Sequence, residues 1–142
     1  MAYWLMKSEP DVYSWDMLVK QKVGFWDGVR NHSAKQNLNA MRVGDEALFY
    51  HSNIGRECVG IMKIVHEAIP DHTVEPTELK KDGSNPWVGV KVSPVRKFVK
   101  PVTLAMVKAI PALAEMALIK YQRLSVQPVT PAEWKIILKM AE

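Results

Sequence analysis

The chain has 142 residues, a formal net charge of +4, a 48% hydrophobic share and a single cysteine, Cys58. That length fits one domain, spanning 1–142, with a core large enough to need no staple, and one cysteine excludes a disulfide framework or a thiolate zinc site. No apolar run approaches the ~18 residues of a membrane span, and no basic segment leads into an apolar stretch at the N-terminus. We therefore expect no signal peptide, a cytoplasmic location, no membrane contact and a monomer.

Tyr3 to Lys7 reads as a strand that Pro10 ends. Ser14 is placed to cap a short helix through about Lys20, with Trp15, Leu18 and Val19 as its apolar face. A second helix begins near Asn31 or Ser33 and runs to Arg42, carrying Leu38 and Met41 inward. Val43-Gly44-Asp45 turns the chain into a strand from Ala47 to His51, and Asn53 to Arg56 suits a hairpin loop. Cys58 to His66 reads as a strand buried on both faces.

Pro70 to Pro86 is a polar, proline-broken loop. Trp87 to Val99 alternates as a further strand, with Pro94 marking an edge or a bulge. Thr103–Ala109 and Ala112–Met116 read as short helices. Tyr121 to Val129 alternates polar and apolar residues before the last helix, where Thr130, Pro131 and Glu133 form a capping box. That helix turns Trp134, Ile137 and Leu138 toward the core. Strands and short helices in this order make an α+β chain built around a sheet.

Charge is uneven along the chain. Residues 1–72 hold 8 Lys/Arg against 9 Asp/Glu, whereas residues 73–142 hold 11 against 6. Between Lys91 and Arg123, the cations Lys91, Arg96, Lys97, Lys100, Lys108, Lys120 and Arg123 face one acid, Glu115. A stripe of this kind can track a phosphate backbone; the competing reading is a solvated face.

Trp26-Asp27-Gly28-Val29-Arg30-Asn31 is the most informative string. Glycine lets the backbone turn where a side chain would clash, which leaves an indole, a carboxylate and a guanidinium to converge on one spot. An aromatic face beside hydrogen-bonding groups and a cation is what a protein needs to hold a nucleobase. The competing reading is a tight turn whose tryptophan plugs the core while Asp27 and Arg30 pair on the surface.

Three other strings accompany it in order: Lys7-Ser8-Glu9-Pro10, Tyr50-His51-Ser52 and Arg123-Leu124-Ser125-Val126-Gln127-Pro128. Together the four strings resemble the EVE domain family, and the likeness runs from Tyr3 to about Trp134. It implies a PUA-like fold, a small curved β-barrel of about five or six strands flanked by short helices. YTH domains, which read N6-methyladenosine in RNA through an aromatic cage, share that general architecture. By this resemblance Trp26 takes the cage position and Lys7, Ser8 and Glu9 supply polar pocket groups. Glu9 or Asp27 would accept from an exocyclic amine. Ser52, Ser125 and Gln127 would complete edge recognition, Arg30, Asn31 and Arg123 would meet sugar and phosphate, and Tyr50 and Tyr121 are cage candidates.

Catalysis is poorly supported by the residues. Cys58 lies in a buried strand, no nucleophile elbow is present, and His51 and Ser52 point to opposite faces of a strand. His32, His51, His66 and His72 have no ligand spacing on one face, so no metal is expected. No phosphate-cradling glycine motif argues for a cofactor. The reading is a non-catalytic domain that binds nucleic acid, DNA or RNA, carrying a modified base. A small hydrolase or base-processing enzyme using the same pocket is the alternative, and a module for an acidic protein partner is a third.

Overall fold

Side-chain alternation along the strands divides the core in two. In the computed structural model, which describes all residues from Met1 to Glu142, the elements are β1 (Tyr3–Ser8), α1 (Trp15–Gln21), β2 (Gly24–Trp26), α2 (His32–Ala40), β3 (Glu46–His51), β4 (Glu57–Pro70), β5 (Val88–Thr103), α3 (Leu104–Lys108), α4 (Ala117–Lys120), β6 (Val126–Val129) and α5 (Pro131–Met140). Single 3-10 turns lie at Pro76–Glu78 and Pro111–Leu113. Trp4 and Met6 of β1 join one cluster with Phe49, Met62, Val90 and Val126, while Leu5 joins the other with Leu48, Ile61, Phe98 and Val129. A sheet buried on both faces explains why its central strands read as nearly continuous apolar runs.

The six strands form one mixed sheet in the order β2-β5-β4-β3-β1-β6. β1 runs parallel to β3, and every other pairing is antiparallel. The fold is α+β and PUA-like, but the expected closed barrel is corrected in one respect. β2 and β6 end the sheet without pairing to one another. Helix α2 fills the gap instead, packing against both β5 and β6, with Asn37 Nδ2 donating to the Val126 carbonyl at 2.7 Å. Leu38 and Ala34 of α2 are fully buried in the first cluster, so the helix acts as the closing stave.

Most helix signals hold in detail. Ser14 accepts from the Met17 amide, Asn31 from Ala34, and Thr130 completes its capping box with Glu133. Val19, however, is exposed, because α1 buries only Trp15 and Leu18. Leu138 is half-buried at the rim of the second cluster. The expected helix at Ala112–Met116 is a 3-10 turn at Pro111–Leu113 followed by α4. The alternating segment from Tyr121 forms strand only from Val126, since Leu124 N donates to Tyr121 O at 3.1 Å and makes 121–124 a turn. Pro94 sits within β5 opposite Met62, at a register shift that spares the ladder a missing donor. No helix is long and apolar enough to cross a membrane.

Candidate functional site

A cleft of about 460 Å³ opens where the C-terminal ends of β1 and β2 meet the 121–125 turn. Lys7, Ser8, Val12, Tyr13, Gln21, Phe25 and Trp26 line it, together with Asp27 to Arg30, His72 and Ser125. Four elements distant in sequence thus converge on one concavity.

The aromatic side of the cleft is built around Trp26. This ring is 5% exposed and meets Phe49 edge-on at 5.2 Å and Tyr13 edge-on at 5.9 Å. It is therefore a core residue that shows a narrow part of its surface to the cleft, which joins both readings of the sequence string. Phe25 and His72 stack at 5.2 Å with an interplanar angle of 16°. Two glycines allow this packing. A Cβ on Gly24 would sit 2.0 Å from the Tyr13 hydroxyl, and one on Gly89 would sit 2.3 Å from the Trp26 carbonyl oxygen.

The polar side depends on Asp71. Gly28 adopts φ 76° and turns its amide toward Asp71 Oδ2, donating at 2.9 Å. Arg30 Nη1 donates to the same oxygen at 2.9 Å, and Thr73 donates to Oδ1 through both its amide and its hydroxyl. Burial opposes ionisation of Asp71, but the donors from Thr73, Arg30 and Gly28 outweigh it and hold the carboxyl down at about 2. Arg30 Nε also meets Glu78 Oε2 at 2.9 Å. Arg30 thus buttresses the 26–30 loop through Nε and Nη1 while still lining the cleft.

Asp27 is not paired with Arg30. Its carboxyl faces the cleft and is raised above the ordinary range, first by partial burial and then by repulsion from Asp71. Tyr13 is raised by burial and by Asp27, and its hydroxyl donates to Gln21 Oε1 at 2.6 Å. Burial lowers Lys7, whose Nζ donates to the Gln122 carbonyl at 2.7 Å and lies 5.8 Å from the Tyr50 ring centroid. Ser8 Oγ donates to Tyr13 O at 2.8 Å, which leaves its acceptor capacity unused on the cleft wall.

Several expected residues lie elsewhere. Tyr50 and Ser52 line a separate depression of about 240 Å³ with Lys7, Asn53, Arg56, Leu104, Leu118 and Gln122. Tyr50 is almost wholly buried. Glu9 is exposed outside the cleft, with Asn53 Nδ2 3.4 Å from its carboxylate. Asn31 caps α2 and lines a third depression, about 450 Å³, shared with Arg123 and Tyr121. Gln127 is fully buried, and its amide nitrogen donates to the carbonyls of Ala117, Tyr121 and Leu124. It therefore supports the turn and has no surface to offer a ligand.

The basic stripe is likewise divided. Arg123 lines the depression it shares with Asn31 and Tyr121, while Arg96 and Lys97 line a shallow depression with Leu138 and Ala141. They lie up to about 20 Å along β5 from the Trp26 partner Val90, given the rise of a strand. Lys120 pairs with Glu115.

Tyr13, Phe25 and Asp71 were not expected at the site, and His72 was weighed only as a metal ligand. Asp71-His72-Thr73 carries a signal for Asp71, since Asp followed two residues later by Thr favours a side-chain-to-backbone turn. Nucleophilic chemistry finds no purchase on Cys58, which is fully buried and pushed up to about 12 by burial and by Glu57. His51 Nε2 accepts from the Trp15 amide at 3.1 Å, and burial lowers its basicity.

The EVE domain family model matches residues 2–140. Human thymocyte nuclear protein 1 is 37% identical over 169 aligned positions, covering 99% of this chain and 74% of that protein. The rat protein of the same name is 41% identical with the same coverage. A Rhodopseudomonas palustris protein of known structure is 52% identical, with a TM-score of 0.87 over 99% of this chain and 93% of that one. The human THYN1 protein in complex with 5-methylcytosine-containing DNA superposes with a TM-score of 0.88 at 36% identity, covering 100% of this chain and 98% of that one. The more distant ASCH protein of Zymomonas mobilis, 10% identical with a TM-score of 0.57, shares the fold. With a matching family model along nearly its whole length and relatives well above 30% identity, the chain belongs to the EVE domain family.

Proposed function

We propose that this protein is a non-catalytic reader of a modified nucleobase in DNA, taking the base into the cleft between β1, β2 and the 121–125 turn. The observation that carries the reading is the cleft's composition. Aromatic surface from Trp26, Tyr13 and Phe25 meets Asp27, Ser8 and Ser125 around about 460 Å³, a volume within the ~300–1,000 Å³ of small-molecule sites. The human relative crystallised with 5-methylcytosine-containing DNA supports it.

In this reading the Asp27 carboxylate accepts from an exocyclic amine, as carboxylates do for cytosine N4. Ser125 and Ser8 complete the edge, Lys7 lines the cleft for phosphate, and Arg123, two residues from Ser125, serves the flanking phosphate from its own depression. A methyl group adds only about 0.8 kcal/mol by burial, or roughly fourfold in affinity. Selectivity beyond that requires the polar groups to seat the methyl against the aromatic side. Titration of two oligonucleotides differing in one methyl group, at fixed salt, tests the reading. A preference of fourfold or more is expected, and equal affinities refute it.

A further inference from the structure

Resting on that reading, we propose that the Tyr121-Gln122-Arg123 turn is a wedge that enters duplex DNA and fills the gap left when the target base swings into the cleft. The turn is held from below with unusual completeness. Gln127 Nε2 reaches the carbonyls of Ala117, Tyr121 and Leu124 at 3.3, 3.0 and 2.9 Å. An amide nitrogen has two hydrogens, so these three acceptors share them. Lys7 Nζ takes the Gln122 carbonyl at 2.7 Å, and the Lys7 amide takes that of Ser125 at 2.8 Å.

While the carbonyls are tied inward, the side chains of Tyr121, Gln122 and Arg123 are all exposed, Tyr121 by 61%. A single exposed aromatic on a protein surface is ordinary. This one is set on a fixed turn, and a turn fixed in advance loses little freedom on binding. Its position is equally specific. Ser125 and Lys7 line the base cleft, Gln122 lines the neighbouring depression, and Tyr121 and Arg123 line the third. The turn thus lies between two depressions that Gln122 lines in common, and Ser125 and Lys7 join it to the cleft that takes the base.

Extruding a base from a duplex breaks its stacking on both neighbours, and an inserted side chain that separates base steps can replace part of that contact. Tyr121 offers a flat ring for the vacated position, with Arg123 beside it for the flanking phosphate. A single strand has no such gap to fill, which separates a wedge from a plain stacking platform.

The test compares affinities for a duplex and a single strand of one sequence, each with one 5-methylcytosine, and for the unmethylated single strand. It uses the intact wild-type protein, Tyr121→Ala and Tyr121→Phe. The duplex-to-single-strand affinity ratio should fall about tenfold in Tyr121→Ala, the scale of one lost stacking contact. It should stay within about twofold of wild type in Tyr121→Phe, which keeps the ring. A ratio unchanged in Tyr121→Ala, or lowered equally in both variants, overturns the wedge. Equal affinity of the wild-type protein for methylated and plain single strands defeats the base-reading proposal itself, and the wedge with it.

Discussion

The Asp71 carboxylate, fully buried, meets the Arg30 guanidinium at 2.9 Å and so fixes a loop more than forty residues earlier in the chain. The same oxygen takes the Gly28 amide. One residue thereby sets the curvature of the 26–30 loop and, with it, where Trp26 and Asp27 stand in the cleft. Removing the charge leaves four donors, from Gly28, Arg30 and Thr73, facing a weaker partner in the interior. Asp71→Asn should destabilise the protein by about 2–3 kcal/mol in chemical denaturation and weaken oligonucleotide binding as the loop loosens.

The same carboxylate sets an acid dependence. Its folded value is depressed to about 2, so the stability it contributes is fully present above the unfolded carboxyl range near ~4 and is lost as pH falls through about 2. Urea midpoints measured from pH 5 down to pH 2 should fall in the wild type by more than in Asp71→Asn. Parallel curves for the two proteins would refute this assignment.

Asp27 behaves in the opposite sense. Its carboxyl is raised by burial and by Asp71, so its ionised form costs stability above its folded value, and the cost is relieved as pH falls. Asp27→Asn should leave stability at pH 7 unchanged or slightly higher while lowering affinity for a cytosine-type base several-fold. A loss of stability would show that Asp27 is a structural residue.

Trp26 must be tested by a conservative change. It belongs to the first core cluster, and Trp26→Ala should cost about 3–5 kcal/mol, which confounds any binding measurement. Trp26→Phe keeps an aromatic body against Phe49 and Tyr13. It should retain the fold by thermal melting while reducing affinity for the modified base.

Local signals were legible where chemistry is local. Ser14, Asn31 and Thr130 announce their helices because a cap needs only its own turn. The short strand β2 was hidden, since three residues carry no period and Gly24 is there for the approach of Tyr13. Closure by α2 was also hidden, because whether the end strands pair depends on sheet curvature and not on any strand's composition. In the site, Trp26 and Asp27 were visible as an odd string, whereas Asp71 lay in a polar loop whose role exists only across the fold. Gln127 looked like a surface hydrogen-bonding group, and only the burial of its side chain beneath the turn shows otherwise.

Cations near the cleft and far from it should separate by salt. Arg123 lies two residues from Ser125 of the cleft, while Arg96 and Lys97 lie toward the other end of β5. Arg123→Ala should reduce the log–log salt slope of DNA binding by about 1, and the Arg96→Ala/Lys97→Ala pair should leave it within error. The reverse pattern would move the phosphate path to the α5 side.

Entry of a base into this cleft is read out by nitrogen–proton NMR of the labelled protein during titration with a 5-methylcytosine oligonucleotide. The Trp26 indole and the amides of Asp27, Gly28, His72 and Ser125 should shift strongly, and less with the unmethylated strand. Shifts that spare these groups and gather instead around Arg96 to Lys100 would contradict it.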